Sequence, residues 1–122
     1  MTVIGQPWVT WVVTINVMKL FDIIKERKII EKNGCLSCHS VEGRKIVGPS
    51  FKDFFGTTVE VTTDGLKRKV TVDEEYIKTS IFDPNRDIVD GFPKGVMKSY
   101  KGIIKEKDIP KIVDYLKTIK TK

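Results

Sequence analysis

Residues 34–40 read GCLSCHS, with Cys35 and Cys38 three positions apart and His39 directly after the second cysteine. The chain contains two cysteines and one histidine in all, so this stretch holds every thiol and the single imidazole. A Cys-x-x-Cys pair has three ordinary uses: part of a structural zinc site, a redox-active thiol pair or, when histidine follows, the attachment point of a c-type haem. The rest of the sequence distinguishes between these three uses.

The first two uses need partners that this sequence lacks. A closed zinc site takes four ligands, usually two cysteine pairs or one pair with two histidines, and a single histidine is too few without carboxylates. A thioredoxin-like pair belongs to a βαβ unit, whereas here a predicted helix precedes the pair and a loop follows it. The pattern therefore predicts one haem c, attached through Cys35 and Cys38, with His39 held against the iron.

The sixth position of the iron has one candidate ligand in a loop. The methionines are Met1, Met18 and Met97, and there is no second histidine. Met18 precedes a predicted helix and suits a core or interface position. Met97 lies in GFPKGVMKSY, a loop rich in Gly and Pro, and we expect it to be the distal ligand; the alternative is a loop anchor packed on the core. The neighbouring Lys98 leaves open that the bond between Met97 and the iron is absent or labile. The alternative function in that case is a five-coordinate haem sensor or peroxidase.

Length and charge place the chain among ordinary globular proteins. Its 122 residues suit one domain with one core. The formal charge of +6 comes from 22 Lys and Arg against 16 Asp and Glu, and the basic residues are scattered. They indicate solvated helix faces first, with a basic rim that steers an acidic partner protein as the functional alternative. Nucleic acid is not expected, because no basic run with interleaved aromatic residues occurs.

The N-terminal residues 1–18 contain no charged side chain. They lack the positive start and the cleavage site of a secretory signal, and polar residues interrupt them too often for a spanning helix of about 20 apolar residues. Apolar and polar residues alternate from Val9 to Val17, which predicts a strand packed on another domain or subunit; a poor membrane anchor is the alternative. We therefore expect an N-terminal extension at 1–19, strand-like or weakly anchoring, and a main domain at 20–122.

Three helices are predicted in the main domain. Apolar residues recur at helical spacing over residues 20–33. Asp73 is a good N-cap for a helix that continues to about Ile81. The last helix is expected to begin near Asp108, with Pro110 tolerated in its first turn. The fold class is therefore mainly α.

One hairpin and two long loops complete the predicted elements. Valines alternate with polar residues on both sides of an Asp64-Gly65 turn, which indicates a β-hairpin at residues 57–72. Residues 40–56 and 84–104 are rich in Gly and Pro and are predicted to be loops. Two loops of this length are uncommon in so small a domain, so we expect a bound group to fill the space between them, as a haem would.

Several segments together make this sequence similar to a known family. They occur in the family's order and approximate spacing, and they read CLSCHSVEG, VGPSFKDFFG, VTTDG, VDEEYIKTSIFDPN, IVDGFP followed by VM, and IVDYLKTI. From about residue 25 to 119 the sequence resembles class I c-type cytochromes and, within them, the cytochrome c domain of subunit II of some bacterial haem–copper oxidases. The resemblance implies a class I cytochrome c fold of three or more helices around one covalently bound haem, with the hairpin as an insertion.

The resemblance also assigns roles to single residues. It makes Cys35 and Cys38 the thioether anchors, His39 the proximal iron ligand and Met97 the distal one. It further implies that the backbone carbonyl of Pro49 accepts a hydrogen bond from His39, which would orient the imidazole and raise its donor strength.

The resemblance predicts how the terminal helices meet, and the sequence departs from the family pattern there. The final helix is expected to cross the first near Ile30 and Tyr115. The family usually has glycine on the first helix nine positions before the first cysteine, where this chain has Glu26. Proline commonly follows the distal methionine, where this chain has Lys98.

The implied function is one-electron transfer without catalysis. The chain would act as a carrier, or as the electron-entry subunit or domain of a respiratory chain. Expected partners are redox proteins such as a terminal oxidase or an upstream donor, with membrane association through residues 1–18 as a further option. Haem c is attached outside the cytoplasmic membrane, so the expected location is the periplasm or the outer face of that membrane.

Overall fold

The computed structural model describes the backbone of residues 7–121 and the side chains of residues 19–121. Within these residues, helices at both ends of the chain enclose a small sheet and a short central helix. The elements in chain order are α1 (Pro7–Lys32), β1 (Thr58–Thr63), β2 (Leu66–Thr71), α2 (Glu74–Phe82), β3 (Asp87–Val89) and α3 (Ile109–Thr118). Short 3-10 turns at Cys35–Ser37 and Glu106–Asp108 precede the His39 loop and α3.

The N-terminal residues form a helix where the alternating pattern predicted a strand. Helix α1 begins at Pro7, so the strand prediction for residues 9–17 is wrong. Proline fits the first helical position, because its missing N–H would have no partner there. No glycine or further proline occurs before Lys32, and extending a helix needs no new nucleus. The Val and Thr residues each cost less than about 0.7 kcal/mol in a helix, which is too little to stop it.

Helix α1 joins the predicted extension to the main domain without a break. The division between residues 1–19 and 20–122 stays a prediction, and residues 1–6 lie outside the described part of the chain. Among the residues that the structure describes, no helix is both long and apolar enough to cross a bilayer.

The predicted hairpin is confirmed, and a third strand joins it. β1 and β2 pair antiparallel with Thr63 opposite Leu66, and the turn residues Asp64 and Gly65 both have positive φ, at 50° and 81°. Two positive φ values suit a tight two-residue hairpin turn, and glycine reaches them without steric cost. β3 lies in the segment that was predicted to be loop, and it pairs antiparallel with the other edge of β1.

The two remaining helices begin and end close to their predicted positions. The Asp73 carboxylate accepts a hydrogen bond from the backbone N–H of Tyr76 at 2.8 Å, as an N-cap does. α2 then ends at Phe82, two residues before Pro84. α3 begins at Ile109 with Pro110 in its first turn. Both helix predictions are confirmed.

The core lies where α1, α2 and α3 meet the sheet. Ile30 of α1 and Tyr115 of α3 are both buried in it, and α1 contacts α3. The buried apolar residues are Ile30, Val61, Val72, Tyr76, Ile77, Ile81, Tyr100, Ile104, Ile109, Ile112, Val113, Tyr115 and Leu116. This core fixes the ends of α1 and α2, from which the two long loops depart toward a common cavity.

Candidate functional site

A cavity of about 330 Å³ lies between the two long loops and the helix ends. Its volume is in the range of small-molecule sites, and its walls are predominantly apolar side chains. All five residues singled out in the sequence line it: Cys35, Cys38, His39, Pro49 and Met97. The structure therefore brings the predicted site residues together from separate parts of the chain.

The end of α1 sets the position of the cysteine pair. The helix stops at Lys32, and a single 3-10 turn follows in which the N–H groups of Cys38 and His39 both donate to the Cys35 carbonyl, at 3.2 and 3.0 Å. The turn keeps Cys35, Cys38 and His39 on the cavity wall. Burial raises the pKa of the Cys35 thiol. Within residues 19–121, no three His, Cys, Asp or Glu side chains converge as a metal site would require.

The His39 ring is fixed in one tautomer by Pro49. Nδ1 lies 2.7 Å from the Pro49 carbonyl oxygen. A carbonyl can only accept, so Nδ1 carries the proton, and in the neutral ring Nε2 has a lone pair available for a metal. Burial lowers the pKa of His39, with the Pro49 hydrogen bond opposing it. The contact that the resemblance implied is thus present, on a ring whose environment favours the neutral form.

Two further residues, Gly48 and Phe51, contact the His39 ring, and neither was predicted from the sequence. A Cβ on Gly48 would lie 2.4 Å from Cε1 of the ring, so no side chain fits at this position. Phe51 stacks on the ring, with centroids 4.6 Å apart and planes 11° from parallel. The sequence showed Gly48 as a loop residue and Phe51 as one of three neighbouring phenylalanines. The signal that could have singled them out was their position on either side of Pro49.

The loop around Met97 is tied down on both flanks. Before Met97, the N–H of Gly95 donates to the side chain of Asn85 at 2.9 Å. After it, the Ser99 hydroxyl donates to the Phe82 carbonyl at 2.6 Å, at the end of α2. The Tyr100 backbone N–H donates to Ile81 at 2.9 Å. Met97 is therefore presented to the cavity by a loop fastened to the scaffold.

Tyr100 also connects the Met97 loop to the cysteine pair. Its hydroxyl donates to the carbonyl of Asn33 at 2.6 Å, immediately before Gly34 and Cys35. The ammonium group of Lys98 lies 5.0 Å from the centre of the Tyr100 ring, a cation–π distance. In the sequence, Lys98 was the reason to consider a labile bond between Met97 and the iron. In the structure, the Lys98 side chain contacts the Tyr100 ring of the same loop.

The comparisons with known proteins agree with this geometry. Residues 26–120 match the family described as Cytochrome c. The chain belongs to the cytochrome c family. A relative, "Cytochrome c2 iso-1" of Magnetospirillum fulvum, is 32% identical over 95 residues, which cover 72% of this chain and 93% of that protein.

Membership of this family fixes the coarse chemistry of the protein. It is a class I c-type cytochrome, an electron-transfer protein rather than an enzyme, and it acts with redox partner proteins. Its cofactor is one haem c bound covalently through the cysteine pair, Cys35 and Cys38. The residues present fit that group: two thiols, a neutral imidazole and a thioether line one apolar cavity.

Proposed function

We propose that His39 and Met97 are the two axial ligands of the haem iron, and that the protein passes single electrons in a respiratory chain. The observation that carries this proposal is the convergence of these two side chains on the cavity that the cysteine pair also lines. The haem supplies a one-electron iron couple, and His/Met ligation raises its potential.

The surroundings of each ligand support this assignment. The Pro49 carbonyl holds the proton of His39 on Nδ1, which leaves Nε2 to bind a metal and increases its basicity. Met97 is uncharged and lies in an apolar wall, and Ser99 and Tyr100 fasten its loop to α2. A rigid pair of ligands suits electron transfer, since little has to move when the charge on the iron changes.

The rim of the cavity supports docking of an acidic redox partner. Val96 lines the cavity and is 52% exposed, and Ile46, which precedes the lining residue Val47, is 41% exposed. Exposed lysines flank them at positions 45, 94 and 98. Apolar contact with a charged surround suits a small, transient interface that forms quickly at low salt. We propose a terminal oxidase or an upstream donor as the partner.

The periplasm, or the outer face of the cytoplasmic membrane, is the proposed location. Covalent haem attachment takes place outside the cytoplasmic membrane, and the sequence resembles a domain of haem–copper oxidase subunit II. Leu20, Phe21 and Ile24 of α1 are exposed, and residues 1–18 contain no charged side chain. Both features support docking of this end of the chain onto a membrane or a larger subunit. This docking is tested by liposome flotation and gel filtration of the chain with and without residues 1–18. Unchanged behaviour of the shortened chain in both measurements contradicts the docking.

The ligand assignment is tested by optical spectra of the matured protein in both oxidation states, with and without carbon monoxide. We expect a low-spin c-type spectrum that carbon monoxide leaves unchanged, and a carbon monoxide adduct in Met97→Ala. Val96→Ala, at the neighbouring cavity position, is the matched control and is expected to behave like the parent. An adduct in the parent would contradict firm Met97 ligation and favour the sensor or peroxidase function.

A further inference from the structure

Phe51 is held against His39 by the backbone as well as by stacking. The N–H of Phe51 donates to the Ser40 carbonyl at 2.8 Å, and the N–H of Gly48 donates to the Cys38 carbonyl at 2.9 Å. These two hydrogen bonds join the residues on either side of His39 to the residues on either side of Pro49. The phenyl ring is therefore attached to a backbone frame that moves with His39.

Two serines strengthen this frame from the inside. Ser40 is buried, and its hydroxyl donates to the Arg44 carbonyl at 2.5 Å. The Ser50 hydroxyl lies 3.1 Å from the Ser40 carbonyl oxygen and accepts from the N–H of Gly43 at 3.0 Å. A loop closed by this many internal hydrogen bonds allows little displacement of Phe51 relative to His39.

The stack constrains a motion that the Pro49 hydrogen bond leaves free. A hydrogen bond at Nδ1 fixes the position of one atom and the tautomer, but the ring can still tilt about the line from Nδ1 to the carbonyl oxygen. A parallel neighbour at 4.6 Å with planes 11° apart opposes that tilt, because tilting would either separate the rings or bring their edges into collision. The hydrogen bond and the stack together define the plane of the imidazole.

We propose that Phe51 is a positioning residue that sets the plane of the His39 ring, and through it the distribution of unpaired electron density in the oxidised protein. This inference rests on the proposed role of His39 as iron ligand. The plane of an axial imidazole determines which iron d orbital it overlaps. A residue that sets this plane therefore affects the electronic structure without touching the iron.

The experiment compares Phe51→Leu and Phe51→Tyr with Phe54→Leu in the matured, oxidised protein. Phe54 is the matched control, because its ring also lines the cavity but packs edge-on against Tyr76 at 6.3 Å. The readout is the pattern of haem methyl proton shifts in paramagnetic NMR, which depends on the imidazole plane. Loss of packing alone would change stability and leave this pattern in place. If Phe51→Leu accumulates poorly, Phe51→Met removes the ring with less change in volume.

We expect the haem methyl pattern to change in Phe51→Leu and to match the parent in Phe51→Tyr and Phe54→Leu. A parent-like pattern in Phe51→Leu, or an equal change in Phe51→Tyr or Phe54→Leu, overturns the proposal. These outcomes are distinct from failure of the proposed ligation, which would be evident in the parent as a carbon monoxide adduct or the absence of a low-spin c-type spectrum.

Discussion

The ammonium group of Lys45 lies 2.8 Å from the carbonyl oxygen of Gly91 and 4.4 Å from the centre of the neighbouring Phe92 ring. Lys45 belongs to the loop that carries His39 and Pro49, whereas Gly91 begins the segment that leads to Met97. One side chain therefore joins the two walls of the haem cavity. A hydrogen bond from a charged donor and a cation–π contact act together there.

Replacing Lys45 by methionine is expected to loosen the Met97 loop. Methionine keeps an unbranched side chain but loses both contacts, which at an exposed site are worth about 1 kcal/mol. Oxidised Lys45→Met protein should then bind added imidazole roughly fivefold more tightly than the parent, because imidazole can bind only when Met97 has left the iron. Lys94→Met, at an exposed lysine three positions before Met97, is the control. Equal imidazole affinities in the parent and both variants would contradict a role for the Lys45 contact.

Replacing Tyr100 by phenylalanine is expected to destabilise the fold by about 1 kcal/mol, the usual net worth of one hydrogen bond. The change removes the hydroxyl that donates to Asn33 and leaves the ring in the core. Denaturant unfolding should give a lower midpoint with an unchanged slope. Tyr115→Phe, at another buried tyrosine, is the matched control. A midpoint that falls equally in both variants would mean that the Asn33 contact contributes nothing specific.

The structural features that depend on residues close in sequence, such as the cap of α2 and the hairpin turn, were predictable. Asp73 caps α2 through a hydrogen bond three residues away, and the Asp64-Gly65 turn needs only the positive φ values of those two residues. Their outcome depends on residues that are close in sequence, so the pattern was enough. The Cys-x-x-Cys-His motif is equally local, and it led to the family.

The features that depend on distant contacts were not predictable in the same way. Residues 9–17 alternate like a strand, but they continue a helix whose stability is decided further along the chain. β3 is three residues long and exists because Asp87 lies opposite Thr63 of β1. The stack of Phe51 on His39 requires the backbone of two loop arms to pair. None of these relationships leaves a periodic signal in the sequence.

Adding a methyl group at Gly48 is expected to disturb the proximal side of the site. In Gly48→Ala the new Cβ would lie 2.4 Å from Cε1 of His39, so the ring or the loop has to move. Overpacking of this kind costs about 1–3 kcal/mol, and we expect a lower yield of matured protein with an altered haem spectrum. Gly56→Ala is the control: it meets open space but has a φ of 89°, so it should lose stability and keep the parent spectrum. A parent-like spectrum in Gly48→Ala would contradict the close approach.

Glu26 occupies the position where the family usually has glycine, and it is partly buried where α1 meets α3. Burial raises its pKa above the ordinary value of 4.5, and the negative charges of Asp114 on α3 and Asp22 on α1 raise it further. The folded protein therefore holds the Glu26 proton more tightly than the unfolded chain does. The ionised carboxylate then disfavours the folded state at neutral pH, and acidification relieves this effect as Glu26 becomes protonated.

Glu26→Gln should consequently stabilise the protein at pH 7, by about 0.5 kcal/mol, the size of a like-charge contact at a largely solvated site. The free energy of unfolding falls as the pH rises from the pKa of Glu26 in the unfolded chain to its raised pKa in the folded protein. Glu26→Gln has no carboxyl group to ionise there, so it does not lose this stability. Thermal unfolding between pH 4 and 8 should show the advantage of Glu26→Gln at neutral pH and its disappearance at the acidic end. Asp114→Asn should give part of the same gain, and the double variant should gain less than the sum, because both changes remove one shared repulsion. Charge at the helix contact is not the cause if the stability difference between Glu26→Gln and the parent does not change with pH. The same conclusion follows if the stability gains of the two single variants add fully in the double variant.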